Sequence, residues 1–271
     1  ADLAWVGVTV LASTLTYVGA GIAMVGAVPM RLHVWPMVMT QLASTFANRV
    51  TPAKVGGMAT NVRYLQKQDI PLSVAASAVG LNTVVGAVVH IALMIFLGAV
   101  ASQTVDIPTP DARTGAIIVL VLVLASGLLM LLPKGRALLT RYLVPAMRAS
   151  GLAVASVART PTKLIALFAG SAMVTLAYTA AMIASLLAFN SDIPIATAAF
   201  VYLAGAAVSS VAPTPGGIGA TEAALVAGYT AVGVDPSLAF AAVLLFRLVT
   251  FWLPILPGWF ALIRLQRTGD L

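Results

Sequence analysis

Charge is what this chain has least of. Only 8% of its 271 residues are Asp, Glu, Lys or Arg, while 61% are apolar and the mean hydropathy is +1.03. Soluble domains carry about 25% charged and 45–50% apolar residues, so this composition excludes a water-exposed globule. Lipid solvent accounts for it, because a bilayer makes buried charge costly and accepts apolar surface on every side of a helix. Cysteine is absent, which excludes disulfides and thiolate metal sites. The two histidines, His33 and His90, lie too far apart for a HExxH-type pair. No metal, cofactor or catalytic residue is therefore expected. There is no low-complexity linker and no cleavable signal sequence. The chain opens as Ala1-Asp2-Leu3-Ala4-Trp5, almost directly into an apolar run, and we expect residues upstream of Ala1.

What is present is a series of long apolar runs. Leu3–Val28, Leu72–Val100, Gly115–Leu132 and Leu164–Phe189 each reach the length of about 20 residues that crosses the hydrocarbon core. The net charge is +7. Its basic residues fall in loops between the runs, which points to anionic inner-leaflet lipids and not to nucleic acid. The stretch Pro133–Lys163 holds Lys134, Arg136, Arg141, Arg148, Arg159 and Lys163 without an acidic residue, whereas Ala101–Arg113 holds Asp106, Asp111 and one arginine. The excess of Lys and Arg marks the first as cytoplasmic and the second as external. Extended along the chain, this rule puts 11 of the 15 basic residues inside, Arg113 outside, and Arg49, Lys54 and Arg247 at membrane depth. The C-terminal tail with Arg264 and Arg267 ends in the cytoplasm. Thr140–Thr160 reads as an amphipathic surface helix with solvated charges.

That topology forces two segments to enter and return on one side. The first, hairpin 34–69, turns at Thr51-Pro52-Ala53-Lys54-Val55-Gly56-Gly57; the second, hairpin 193–234, turns at Pro213-Thr214-Pro215-Gly216-Gly217-Ile218-Gly219. Each carries Thr-Pro followed by Gly-Gly, each follows a long span, and each precedes a Pro-led span, Pro71-Leu72-Ser73-Val74 or Pro236-Ser237-Leu238-Ala239. The expected architecture is an all-α polytopic transmembrane bundle with inverted-topology repeats and two broken, re-entrant helical hairpins. Residues 1–100 form the first repeat, 101–162 a linking span with the basic cytoplasmic segment, and 163–271 the second repeat.

Inverted repeats with interrupted helices at matching positions point to a transporter site near the midplane. Thr51-Pro52 and Thr214-Pro215 read as helix starts, with Thr as N-cap and Pro in the first turn. Such a start offers free N–H groups to a phosphate. Gly56, Gly57, Gly216 and Gly217 allow close approach. Tight turns between packed helices are the alternative explanation, but two of them in inverted register need a reason. Four charged residues lie within or beside the hairpins: Arg49, Lys54, Glu222 and Arg247. Each costs about 2.5–3.5 kcal/mol at a helix centre if unpaired, so each needs a partner or water. Glu222 is either a structural partner of Arg247 or Lys54 or a coupling residue. Arg247 pairs with Glu222 or a ligand phosphate, while Arg49 and Lys54 are interfacial or contact substrate. Asn48, Asn82, His90 and Thr221 read first as interhelical hydrogen bonds, and Gly19, Gly21 and Gly26 as close helix packing. The expected binding set is Arg49, Lys54, Gly56, Gly57, Thr214, Gly216, Gly217, Glu222 and Arg247.

The run Pro213-Thr214-Pro215-Gly216-Gly217-Ile218-Gly219-Ala220-Thr221-Glu222, with Arg247 downstream, resembles the signature of the lysylphosphatidylglycerol synthase transmembrane-region family, the flippase-like domain of bacterial lipid-handling proteins. Phe46–Arg63 resembles that family's earlier block. Members often carry a Glu-Arg pair in the span after the first hairpin; here that region reads Gly80-Leu81-Asn82-Thr83, with Asn82 in the place corresponding to Arg247. Members also usually begin with one more span. The resemblance implies translocation, across a bacterial cytoplasmic membrane, of a lipid with an anionic or aminoacylated headgroup. No polar stretch is long enough for the synthases' aminoacyltransferase domain, so lysyl-lipid synthesis is not implied. Two other readings stay open: an intramembrane lipid-modifying enzyme, for which Glu222 is the only deep carboxylate, and a scaffold or membrane half of a larger protein. Homo-oligomerisation and a partner domain are equally open.

Overall fold

The computed structural model of the chain describes residues 1–51, 55–103, 155, 157–210 and 214–271. Lys54, the run Gly115–Leu132 and all but the end of Thr140–Thr160 lie outside the described residues. The described residues are helical throughout and contain no strand: α1 (Leu3–Ala27), α2 (Val34–Val50), α3 (Val55–Lys67), α4 (Leu72–Ala101), α5 (Pro161–Leu187), α6 (Ile195–Ser210), α7 (Ala220–Ala231), α8 (Pro236–Arg247) and α9 (Ile255–Thr268). Of these, α1, α4, α5 and the continuous α8–α9 rod are long and apolar enough to cross a bilayer. The protein is an all-α polytopic membrane bundle. Its outer surface agrees: Val84, Val88, Ile91, Ile95 and Phe96 of α4 all stand exposed, a stripe that water would not tolerate.

The first span of each half forms the centre of the bundle. Helices α1 and α5 pack closely because small residues line the seam. A Cβ on Gly26 would run into the Leu167 backbone, and one on Gly170 into the Ala23 backbone. Close backbone approach of this kind replaces the hydrophobic drive that lipid cannot supply. Lys163, in the first turn of α5, donates its ammonium to the Val25 carbonyl at 2.9 Å and the Met30 carbonyl at 2.7 Å. A cation there suits the negative end of α1.

Each hairpin lies across the closing span of the other half. Helix α2 presses on α9, where Gly258 meets the Leu42 carbonyl. Helix α6 presses on α4, where His90 Nε2 lies 3.0 Å from the Leu203 carbonyl and Gly98 faces Phe200. His90 thus makes the interhelical contact expected of it. Asn82 does not, since its Oδ1 is buried without a partner.

The sequence expectation for the second helix start needs correction. At the first break Thr51 is the C-cap of α2, and Pro52, where the sequence predicts the start of α3, lies outside the described residues. Thr214-Pro215 opens only a short 3₁₀ turn, Pro215–Gly217, and α7 begins at Ala220 with Gly219 as its N-cap. The three glycines of the second break explain the delay. Gly216, Gly217 and Gly219 have φ of 60°, 68° and 81°, and left-handed backbone cannot continue a right-handed helix.

Candidate functional site

The site grows from three interruptions of the helical ladder. At the first hairpin tip two backbone N–H groups near the start of α3 are taken by side chains. Gly56 N–H donates to Thr51 Oγ1 at 2.9 Å, and Gly57 N–H donates to Asn48 Oδ1 at 2.7 Å. The hydrogen bonds of these two amides thus go to residues of the preceding helix and its C-cap. Arg49 is the residue this tip aims inward. It donates from Nη1 to the Thr45 carbonyl at 3.4 Å and from Nη2 to the Thr250 carbonyl at 2.8 Å. Its Nε is buried near the buried Tyr17 hydroxyl. The two interact electrostatically, but neither atom has a partner of hydrogen-bonding geometry.

At the second tip Glu222 occupies position N3 of α7 and caps its start, its Oε2 accepting from Gly219 N–H at 2.8 Å. Its other oxygen, Oε1, lies 2.6 Å from Arg247 Nε. The ion pair foreseen as one option for both residues is therefore formed. It is largely withdrawn from water, with side chains 8% exposed at Arg247 and 28% at Glu222. Arg247 also donates from Nη2 to the Gly216 carbonyl at 3.3 Å, which ties the strand of glycines to α8.

The third interruption lies in the closing span, and sequence reasoning missed it. Residues Leu248–Trp252 form a π turn between α8 and α9, with Leu253 N–H donating to the Leu248 carbonyl at 2.8 Å. Pro254 explains it. Proline has no N–H, and its ring clashes with the carbonyl four residues back, which is that of Thr250. The Val249 and Thr250 carbonyls are thereby released from the ladder. They are taken by Ser13 Oγ at 3.4 Å and by Arg49 Nη2. The spacing from Thr250 to Pro254 was the available signal. Single-turn π segments occur often at functional sites.

Phe251, on this π turn, joins the two tips. The Arg49 guanidinium lies 4.6 Å from the ring centroid and the Arg247 guanidinium 4.2 Å, both within cation–π range. Gly216 allows the approach, because a Cβ there would collide with the Phe251 ring. Beside this cluster opens a cavity of about 520 Å³. Its wall takes Thr45, Asn48 and Arg49 from α2, Thr214, Gly216 and Gly217 from the second break, and Arg247, Thr250 and Phe251 from the closing span. Tyr178 of α5, Tyr202, Ser209 and Ser210 of α6 and Thr221 of α7 also line it.

Among the expected binding residues, Arg49, Thr214, Gly216, Gly217 and Arg247 meet in this wall. Glu222 stands behind it, holding Arg247. Gly56 and Gly57 are not part of the lining, and Lys54 lies outside the described residues. Asn48 and Thr221, read first as packing contacts, do line the cavity.

Comparison with known proteins adds two findings. The family model described as the lysylphosphatidylglycerol synthase TM region matches residues 1–258. A UPF0104 membrane protein of Pyrococcus horikoshii is 46% identical over 48 residues, a stretch covering 18% of this chain and 14% of that relative.

Proposed function

The chain belongs to the lysylphosphatidylglycerol synthase transmembrane-region family, and from that premise we propose that it carries a lipid with an anionic or aminoacylated headgroup across the membrane. One observation carries the reading. A single cavity of about 520 Å³ draws its wall from both hairpin tips and contains two guanidiniums. This volume lies in the range of small-ligand sites, about 300–1,000 Å³, and the partly desolvated guanidiniums are suited to a phosphate. The acyl chains remain in lipid while the headgroup passes between the tips.

The two halves act as inverted repeats in this reading, which follows the one-sided distribution of Lys and Arg along the sequence. The protein sits in a bacterial cytoplasmic membrane with its C-terminus inside, and the basic loops rest on anionic inner-leaflet lipids. Alternating access consists of exchange at Arg247: Glu222 holds it when the cavity is empty, and the headgroup competes for it when loaded. Transport without chemistry is the preferred class, because both oxygens of Glu222 are engaged and, among the described residues, the cavity wall holds no carboxylate or histidine. A second reading, the membrane half of a larger lipid-handling protein, draws support from the family's description as a region of a synthase.

The test is movement of tail-labelled phospholipid in proteoliposomes. Arg247→Ala is expected to lower the rate at least about tenfold, and Glu222→Gln to lower it several-fold, for loss of desolvated charge partners. Unchanged movement in both variants would remove the proposed site.

A further inference from the structure

We infer that Tyr178, Phe246 and Tyr202 form a gate that closes the cavity toward the end of the bundle carrying Asp192 and Asp235, and that Phe246 withdraws from between the tyrosines when a headgroup passes. Only the opening rests on the transport reading; the closure stands on packing alone.

The closure is visible in the burial on either side of the three rings, all of which line the cavity. Phe246 of α8 stands edge-on to both tyrosines, its centroid 6.5 Å from that of Tyr178 in α5 and 5.5 Å from that of Tyr202 in α6. Both spacings are those of attractive edge-to-face pairs. Phe246 is 3% exposed and Tyr202 7%. By helical rise the rings lie about 10–15 Å inside the helix ends at Leu187, Ile195 and Pro236. The stretch between is filled by Met182 and Leu186 of α5, Ala198 of α6 and Ala239, Ala242 and Val243 of α8, in one buried cluster with the rings. On the other side burial gives way, and Ser210 and Thr214 of the cavity wall are exposed. The cavity is therefore shut at the end with Asp192 and Asp235 and open at the level of the hairpin tips.

The mounting of Phe246 allows it to move. Arg247 follows it in the chain, and the π turn Leu248–Trp252 comes directly after. Thr250 Oγ1 donates to the Phe246 carbonyl at 2.7 Å. A π segment is one of the few places where a helix bends sharply, so α8, only 12 residues long, has its hinge beside the gate. Arg247 ties α8 to the second hairpin through Glu222 and the Gly216 carbonyl. A headgroup that draws Arg247 away loosens this tie, and α8 then tilts about the π turn and lifts Phe246 out of the seam between α5 and α6. The shut packing also bears a cost. Thr197 Oγ1 of α6, fully buried toward the closed end, has no hydrogen-bond partner, and such a hydroxyl gains when water reaches it. A gate needs two packings of similar free energy, and this orphan narrows the gap.

The chain has no cysteine, so one introduced thiol is a unique probe. Ser209→Cys places it in the cavity wall beyond the rings, and Asp192→Cys at the closed end. The experiment uses the full chain in sealed vesicles of whichever orientation lets a membrane-impermeant maleimide label Asp192→Cys. There Ser209→Cys is expected to react slowly, and at least about tenfold faster when Phe246→Ala is added, in proportion to the open fraction. A second measurement guards against misfolding. Tyr202→Cys with Phe246→Cys, bridged by a short cleavable bifunctional thiol reagent, should stop the movement of tail-labelled phospholipid in proteoliposomes. Cleavage by reductant should restore it, and since both rings are absent before and after, only the tether differs. Equal labelling of Ser209→Cys with and without Phe246, fast in both or slow in both, overturns the gate. Lipid movement that continues through the bridged state overturns it as well and leaves transport standing. Faster labelling in Phe246→Ala with no lipid movement by the parent chain sinks transport and leaves the closure standing.

Discussion

The two hairpins begin from similar sequence and solve the same problem in opposite ways. The first is laced by polar side chains. Gln41 Nε2 donates to Asn61 Oδ1 at 2.8 Å, and Asn61 Nδ2 donates to Ser44 Oγ at 3.0 Å and to the Gly57 carbonyl at 2.9 Å. Asn48 and Thr51 also accept from the Gly57 and Gly56 amides of α3, and the α2 arm gives the cavity Thr45, Asn48 and Arg49. Among its described residues the second hairpin has no such ladder. Its arms meet through small residues and one long reach, Leu225 against Gly205 and the Tyr229 hydroxyl donating to the Ala198 carbonyl at 2.9 Å. Its tip is held from outside, by Arg247 of the closing span. In the proposed transport cycle the first hairpin, with its own hydrogen bonds, is the fixed wall, and the second, held by one ion pair, is the part that moves.

The contrast can be broken most strongly at Glu222. Glu222→Ala leaves the guanidinium of Arg247 without its carboxylate and removes the cap of α7. Loss of one partner of a largely desolvated pair costs about 3–5 kcal/mol, discounted here because Glu222 is 28% exposed. We expect a loss of about 2–4 kcal/mol in reversible unfolding in micelles, with transport abolished. The double variant Glu222→Leu with Arg247→Met should recover much of that stability while staying inactive, since apolar replacement of a buried pair is often neutral. Recovery of transport in the double variant would mean that the pair is only structural.

Next in size comes Gly216→Ala. It combines left-handed backbone with a collision against Phe251, and we expect about 1–3 kcal/mol of lost stability. The same change should weaken headgroup binding, because Phe251 positions both guanidiniums. Phe251→Leu separates the two contributions: binding should fall while the backbone stays unstrained.

Asn61→Ala removes three hydrogen bonds inside the first hairpin. Interhelical hydrogen bonds in membranes average about 0.6 kcal/mol each, so about 1–2 kcal/mol of stability is expected to go. Headgroup affinity should hold, because this ladder lies behind the wall. Affinity that fell as far as in Gly216→Ala would contradict the division between a fixed and a movable hairpin.

The smallest effect is at Asp235, the N-cap of α8 in the second half. The Ser237 hydroxyl and the Leu238 and Ser237 N–H groups hold its carboxyl below the usual range. A depressed pKa means that its contribution is present at neutral pH and is lost as pH falls through the folded value. Thermal melts of the parent chain should therefore lose stability on acidification by slightly more than those of Asp235→Ala. Identical acid profiles would remove this residue from the account.

Much was legible in the residues themselves. Apolar runs of about 20 residues mark spans because nothing else in the chain's chemistry needs them, and charged residues at membrane depth mark the site because they cannot be left unpaired. Arg49, Glu222 and Arg247 were found that way. The Gly-rich breaks were found by composition, yet the second helix start was misplaced by several residues, since Thr-Pro satisfies capping rules without fixing how far the glycines that follow delay the helix. Phe251 and Tyr178 were invisible for a different reason: an aromatic in an apolar run carries no mark of which side it faces.

The sequence by itself determined the solvent, the helical class and the set of costly polar groups that had to find one another. Only tertiary structure decided the pairings. Whether Glu222 meets Arg247 or Lys54, whether the Gly56 and Gly57 amides stay free, and which donor takes the Thr250 carbonyl released by Pro254 all depend on distances between segments remote in the chain. Local rules state that a broken helix needs partners; only packing specifies which side chain arrives.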